Sequence, residues 1–291
     1  MENFLFDILA CPRCKNKLIV QPYQNIFCKN CNLYYKFKDN IPFLLSSESQ
    51  KQINNDLISQ NGQKMVNRYT KNNKIVKITK LIHPPSPLLH FDNSKIMEVI
   101  TNYKGKKTKV LSIGGGGEEF KKFPNIINLN IDIFPNVDIV GDAHNLPFLD
   151  NSFDSVICNA VLEHLKNPYL AVKEIKRIIK KGGYVYIEVP FIQPFHGYPN
   201  DYQRYTLFGL ENLFISEGFL KIKSGVVSGP SSTISHLIRD YLSSLFPDGI
   251  FRLLIKGIAG WILFPLKYLD ILLNKKDDYF LASGVYFFGK K

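Results

Sequence analysis

Residues 109–117, KVLSIGGGG, carry a short apolar run directly into four glycines. Such a run reads as a buried strand whose backbone turns at its carboxyl end, where the missing Cβ atoms allow a sharp bend and a close approach to a ligand. The next apolar run, IINLNID at 126–132, ends on Asp132. A carboxylate placed about 20 residues after the glycine turn can accept both hydroxyls of a ribose. These two features suit a dinucleotide binder as well as other nucleotide-binding enzymes, and the residues that follow separate them.

Working outward, VDIVGD (137–142), FDSVICN (153–159) and YVYIEVP (184–190) read as further buried parallel strands. Between the last two, Ala171, Val172, Ile175, Ile178 and Ile179 recur at helical spacing after Pro168. FLKIKSGVV (219–227) and GVYFFGK (284–290) supply two more strands. Strands alternating with helices imply right-handed crossovers and an α/β doubly wound sheet. No internal repeat is present.

The ensemble GDAHNLPF (141–148), NSFDSVI (151–157), VLEHL (161–165) and KKGG (180–183) closely resembles the class I S-adenosylmethionine-dependent methyltransferases of the type 11 kind, without notable gaps from about 109 to 190. That resemblance implies a Rossmann-like sheet of seven strands with the last antiparallel. It also implies S-adenosylmethionine as cofactor. Gly114 and Gly116 are then expected beside its methionine moiety, Asp132 on the ribose, Asp142 and the Ala143 backbone on the adenine, and Asn159 with Ala160 under the sulfonium. The family usually has an acidic residue where this chain has Ser112, and a glycine where it has Glu118. Ser112 can accept a hydrogen bond from the cofactor's amino group but brings no charge, so that contact is expected to be weaker.

At the other end of the chain, Cys11-Pro-Arg-Cys14 and Cys28-Lys-Asn-Cys31 form two knuckles with 13 residues between them. This spacing lets two tight turns present four thiolates to one tetrahedral zinc ion, a closed site that holds structure and does no chemistry. A redox CxxC normally comes singly at a helix start. Tyr34, Tyr35, Phe37, Ile41, Phe43, Leu44 and Leu45 supply the small core that such a ribbon needs. The segment 11–45 resembles the zinc ribbons found beside or fused to methyltransferases, including small activator subunits, and a similar ribbon opens a family of ribosomal-RNA methyltransferases. The expected organisation is a zinc ribbon at 1–45, linker and cover helices at 46–106 broken by HPPSP at 83–87, and a methyltransferase domain at 107–291.

The net charge of +12 and pI near 9.3 suit a polyanion such as RNA or an acidic membrane, although lysine is spread along the whole chain with many asparagines. Five cysteines, four of them in close pairs, point to a reducing cytoplasm, and the N-terminus shows no signal-peptide pattern.

Acceptor-side groups are expected after the fourth and fifth strands. The fifth runs into PFIQPFHGYPNDYQRYT (190–206), a loop shaped by proline, glycine and aromatics, in which His196, Asp201 and Arg204 are the polar groups. His196 is the candidate general base, because a neutral imidazole can take a hydroxyl proton near pH 7. Asp201 can orient it, or pair with Arg204 in a structural ion pair next to the helix opening at Thr206. Glu163 and His164 are expected to line the cofactor pocket. The loop resembles a subgroup of these enzymes associated with cell-surface polysaccharide and other small-molecule pathways.

Before the last strand lies an insert at about 228–280. Ile234, Leu237, Ile238, Tyr241, Leu242 and Leu245 follow helical spacing, and GIFRLLIKGIAGWILFPLKYLDILL (249–273) is strongly apolar. Charges and Pro265 interrupt it, so it falls short of an uninterrupted membrane span. A lid over the acceptor, a dimer surface and a helix lying in the membrane interface all remain open. Three functions also remain: methylation of a glycan, lipid-linked or small-molecule acceptor; methylation of an RNA base with the ribbon gripping phosphates; and a non-catalytic module that uses the fold to hold a partner.

Overall fold

The computed structural model describes residues 2–21, 25–49, 93–101, 108–115, 125–196, 200–273 and 278–291. Gly116, Glu118 and most of the expected linker, HPPSP included, lie outside the described residues.

One mixed sheet runs through the molecule. Its strands are β1 (Ile19–Gln21), β2 (Asn25–Cys28), β3 (Leu33–Lys38), β4 (Ile41–Leu44), β5 (Val110–Ile113), β6 (Ile126–Asn130), β7 (Ile139–Gly141), β8 (Phe153–Asn159), β9 (Ile179–Pro190), β10 (Leu220–Ser228) and β11 (Gly284–Lys290). They lie in the order β1-β2-β3-β4-β7-β6-β5-β8-β9-β11-β10. Strands β5 to β9 pair in parallel, and β11 enters antiparallel to both β9 and β10. All seven runs expected to be strands are strands, but a sheet ending at seven is not what forms. The physical reason is β7. Its outer edge is open to pairing, and β4 lies parallel against it with Phe43 opposite Val140 and Leu44 opposite Gly141.

The N-terminal strands therefore extend the sheet, and their apolar side chains enter its core. Leu5, Leu9, Leu18, Ile26 and Leu44 belong to the same buried cluster as Leu111, Leu129, Phe148 and Val156. Leu9 bridges Phe148, with the Ala10 N–H donating to the Pro147 carbonyl at 2.9 Å and the Leu149 N–H to the Ile8 carbonyl at 2.9 Å. Charge reinforces the join: Lys15 Nζ stands 2.7 Å from Glu174 Oε2, and Arg177 bonds Glu174 as well as the Phe148 and Leu146 carbonyls.

Six α-helices are described: α1 (Glu2–Asp7), α2 (Ser94–Thr101), α3 (Pro168–Ile178), α4 (Leu207–Ser216), α5 (Pro230–Ser244) and α6 (Ile250–Ile262). α3 is the helix expected from periodicity. Asn167 caps it, accepting from the Leu170 N–H, Pro168 occupies its first turn, and Ala171, Val172, Ile175 and Ile178 form its buried stripe. α5, α6 and two 3-10 segments (Pro265–Leu272 and Asp278–Leu281) are the described elements of the insert between β10 and β11. No helix among the described residues is long and apolar enough to cross a membrane.

Candidate active site and cysteine cluster

Parallel strands deliver their carboxyl ends to one edge, and the expected cofactor residues gather there. Gly114 follows β5 with φ +78, where an added Cβ would stand 2.3 Å from Val161 Cγ2. Any larger residue would clash as well as strain the turn. Asn130 at the end of β6 donates to the Gly115 carbonyl at 2.8 Å, which ties the glycine turn to the next strand, and Asp132 follows two residues later. Ser112 is buried in β5, opposite Asn128 and Ile157, beneath the turn.

Asp142 follows β7 and caps a 3-10 turn at Ala143–Asn145. Its Oδ1 accepts from the His144 N–H at 2.9 Å and lies 2.7 Å from His144 Nδ1, while its Oδ2 accepts from the Ser49 hydroxyl at 2.7 Å. Burial opposes its ionisation, yet the His144 and Ser49 bonds win and lower its pKa below the ordinary carboxylate value. Ser49 comes from the N-terminal part of the chain, and nothing in its local sequence marks it as a site residue.

β8 ends on Asn159, whose Oδ1 is buried with no hydrogen-bond partner among the described residues. Ala160 follows in a left-handed conformation, φ +52, which an alanine adopts only at a cost. An orphaned acceptor, a strained residue and a turn without space for a Cβ thus lie side by side past the ends of β5 and β8. This set fits an adenosine cofactor with a methionine tail.

Beyond β8, Leu162–His164 form a 3-10 turn that the loop after β9 clamps. The Tyr202 N–H donates to the Glu163 carbonyl at 2.8 Å, and Gln203 Nε2 bonds the carbonyls of Leu162 and Leu165 at 3.1 and 2.8 Å. The clamp brings Glu163, His164 and His196 together, with ligand-type atoms all within 4.8 Å of one another. His196 Nε2 stands 3.3 Å from Glu163 Oε1, and hydrogen bonding to that carboxylate raises the imidazole pKa above its ordinary value.

Asp201 and Arg204 pair, with Arg204 Nη2 2.6 Å from Asp201 Oδ2. Asp201 also accepts from the His196 N–H at 2.9 Å. Burial works against its ionisation, but the Arg204 and His196 bonds hold its pKa down to about 2. The pair braces the loop that carries His196. The helix cap itself is Thr206, whose hydroxyl accepts from the Gly209 N–H at 3.0 Å.

At the far edge of the sheet, Cys11, Cys14, Cys28 and Cys31 have their four sulfurs within 4.8 Å of one another, and none forms a disulfide. Four sulfurs about 2.3 Å from one zinc ion stand about 3.8 Å apart, so the cluster fits such an ion with little adjustment. Hydrogen bonding to the Cys14 sulfur pushes the Cys31 thiol up to about 12. The fifth cysteine, Cys158, lies fully buried in β8, where burial raises its pKa.

Residues 123–187 match the family model of a methyltransferase domain. The chain is 41% identical over 64 residues to an uncharacterized methyltransferase of Schizosaccharomyces pombe, covering 22% of this chain and 23% of that protein. It is 40% identical over 52 residues to a UPF0434 protein of Nitrosococcus oceani, covering 18% of this chain and 88% of that one. The solved phosphoethanolamine N-methyltransferase 2 of Haemonchus contortus, in complex with S-adenosyl-L-methionine, aligns at 16% identity with a TM-score of 0.44, covering 78% of this chain and 59% of that one. The chain spans only 23 to 47% of the length of the first curated relatives it matches. Residues 123–187 thus carry the match to a methyltransferase domain, and through the segment it shares with the UPF0434 proteins the chain belongs with them.

Proposed function

We propose that this protein transfers the methyl group of S-adenosylmethionine to a glycan, lipid-linked or small-molecule acceptor. The observation that carries the reading is the edge formed by the carboxyl ends of β5 to β8, with Gly114, Asp132, Asp142 and Asn159 at or just past those strand ends. In this reading Gly114 and Gly116 lie beside the methionine part, Asp132 binds the ribose, Asp142 and the Ala143 amide read the adenine, and Asn159 lies under the sulfonium. Ser112 contributes a neutral contact near the amino group.

Methyl transfer is an in-line displacement, so the protein chiefly positions the nucleophile. Glu163, His164 and His196 form the polar wall on which the acceptor's reacting atom is placed. Asp201 and Arg204 act through the loop, as positioning residues for His196. The division into a ribbon at 1–45, a connecting stretch at 46–106 and a catalytic part at 107–291 belongs to the same reading, as does a structural zinc ion held by Cys11, Cys14, Cys28 and Cys31. Five cysteines without a disulfide suit a reducing cytoplasm.

The test is calorimetric titration of zinc-loaded protein with S-adenosylmethionine, followed by tritiated cofactor with cell extract fractionated into RNA, protein, lipid and small molecules. Label is expected in the lipid or small-molecule fraction. Label in RNA would move the protein to the RNA-modifying alternative, and no cofactor binding would leave only a non-catalytic module.

A second observation bears on where the acceptor is met. Leu237 and Tyr241 of α5, Leu245 at its C-cap, and Ile258, Trp261 and Ile262 of α6 are exposed, Ile262 to 71%. The same insert buries Ser232, Ser235, Lys267 and Asp270. Polar inside and apolar outside is the polarity of a surface that rests in a membrane interface. We propose that the insert docks the protein on the inner face of the membrane. Co-sedimentation with anionic vesicles is the expected outcome, and protein that stays in the supernatant at low salt would remove this reading.

A further inference from the structure

We infer that Glu163, His164 and His196 form a binding site for a divalent first-row cation at the acceptor side of the cofactor edge. Glu163 and His164 come from the turn after β8 and His196 from the loop after β9, and their ligand atoms lie within 4.8 Å of one another. His196 Nε2 is 3.3 Å and His164 Nε2 3.7 Å from Glu163 Oε1. Ligands at about 2.1 Å from one ion stand about 3.0 Å apart at neighbouring octahedral positions and about 3.4 Å apart in a tetrahedron, so small side-chain shifts suffice.

Three further features mark the point as more than a chance meeting of polar groups. His164 Nδ1 is hydrogen-bonded to the Asn200 carbonyl, which sets the proton on Nδ1 and leaves the Nε2 lone pair aimed at the carboxylate. His196 Nδ1 faces the Pro194 carbonyl at 3.4 Å, with the Arg204 guanidinium at 3.5 Å. That guanidinium is itself neutralised by Asp201. Above all, Glu163 is completely buried, and its Oε2 has no hydrogen-bond partner among the described residues. A buried carboxylate with an orphaned oxygen is costly unless a cation sits against it.

The class of ion follows from the donors. Imidazole and carboxylate ligands suit Mn2+, Fe2+, Co2+ or Zn2+ and not a soft ion, in contrast to the four thiols at the other end of the sheet. Three protein ligands leave positions open, and His196 is the most exposed of the three, so they face the side from which an acceptor enters. Open positions of such an ion take oxygen donors, which makes the acceptor a hydroxyl- or carboxylate-bearing molecule. This last step rests on the methyl-transfer reading, whereas the site itself does not. With the ion bound, His196 is a ligand and not a free base, and the acceptor's proton leaves to solvent.

Mn2+ is the probe, because it has little affinity for a thiolate site already filled with zinc. Zinc-loaded full-length protein is titrated with Mn2+ and free ion is read by electron paramagnetic resonance, with S-adenosylmethionine affinity measured in parallel. One Mn2+ per chain is expected, weakened at least about tenfold by Glu163→Gln and by His196→Gln. Glu163→Gln preserves volume in the buried position. His196→Gln changes a partly exposed residue, so a fold that fails in the first variant is still tested by the second. Absence of Mn2+ binding up to millimolar concentration, or binding that both folded variants keep, would overturn the proposal. Cofactor binding without Mn2+ binding sinks the cation site alone, and Mn2+ binding without cofactor binding sinks the methyltransferase reading and leaves the site standing.

Discussion

Where β4 lies against β7, the chain adds four strands and tucks Leu9, Leu18, Ile26 and Leu44 into the core it meets; at the opposite edge, between β10 and β11, it adds two helices that turn Leu245, Ile258, Trp261 and Ile262 outward. The two additions are both rich in apolar residues, and their fates differ because their polar groups differ. At the first edge, backbone pairing satisfies the open strand and carbonyls of the 146–149 segment receive Ala10, Lys15 and Arg177. In the insert several polar groups pair with one another internally. Asp270 Oδ1 accepts the Ser231 N–H at 2.8 Å, where a Cβ on Gly229 would intrude to 2.5 Å, and Asp240 joins Arg239 and Lys256 at 2.9 and 2.6 Å. Burial of those groups leaves the apolar stripe nowhere to go but the surface.

The sharpest way to break the contrast is to remove the zinc ion proposed for the four thiols at the first edge. Chelation with a strong zinc chelator is expected to lower the melting temperature markedly and to weaken S-adenosylmethionine binding, since β4 and Ser49 are continuous with the cofactor edge. Scanning calorimetry and titration read both effects, and an unchanged cofactor affinity would show the two ends to be uncoupled. Leu44→Ala, at a fully buried position in the shared core, is expected to cost about 2–5 kcal/mol in urea denaturation. Ser49→Ala removes one hydrogen bond from Asp142 and should leave stability nearly intact while costing about 1 kcal/mol of cofactor affinity, roughly fivefold. Smallest in stability is the double change Ile258→Ser and Ile262→Ser. It should stay within about 0.5 kcal/mol of the parent because both residues are exposed, yet vesicle binding should fall. A large loss of stability there would place those side chains in a hidden core and erase the contrast.

Much of the cofactor edge was readable before any coordinates. Strand ends can be counted from apolar runs, and the residues just past them are forced to one edge by parallel pairing, so Gly114, Asp132, Asp142 and Asn159 were placed at that edge, and the cofactor contacts proposed for them rest on resemblance. Ser49 was not, because its contact with Asp142 spans 93 positions and no local pattern marks a hydroxyl that reaches that far. Glu163 and His164 were noticed as pocket residues, but their meeting with His196 depends on the clamp made by Tyr202 and Gln203. Asp201 and Arg204 were left between two roles, and the geometry favours bracing.

By itself the sequence determined the strand and helix content of the α/β part, the cofactor motif and the four-thiol cluster, because each rests on local periodicity or on short fixed spacings. Only the tertiary structure decided that the N-terminal strands join the same sheet, that the insert faces outward, and that two histidines and a buried glutamate share one point. Those outcomes depend on which edge is left unpaired and which polar groups find partners, and both are properties of the assembled chain.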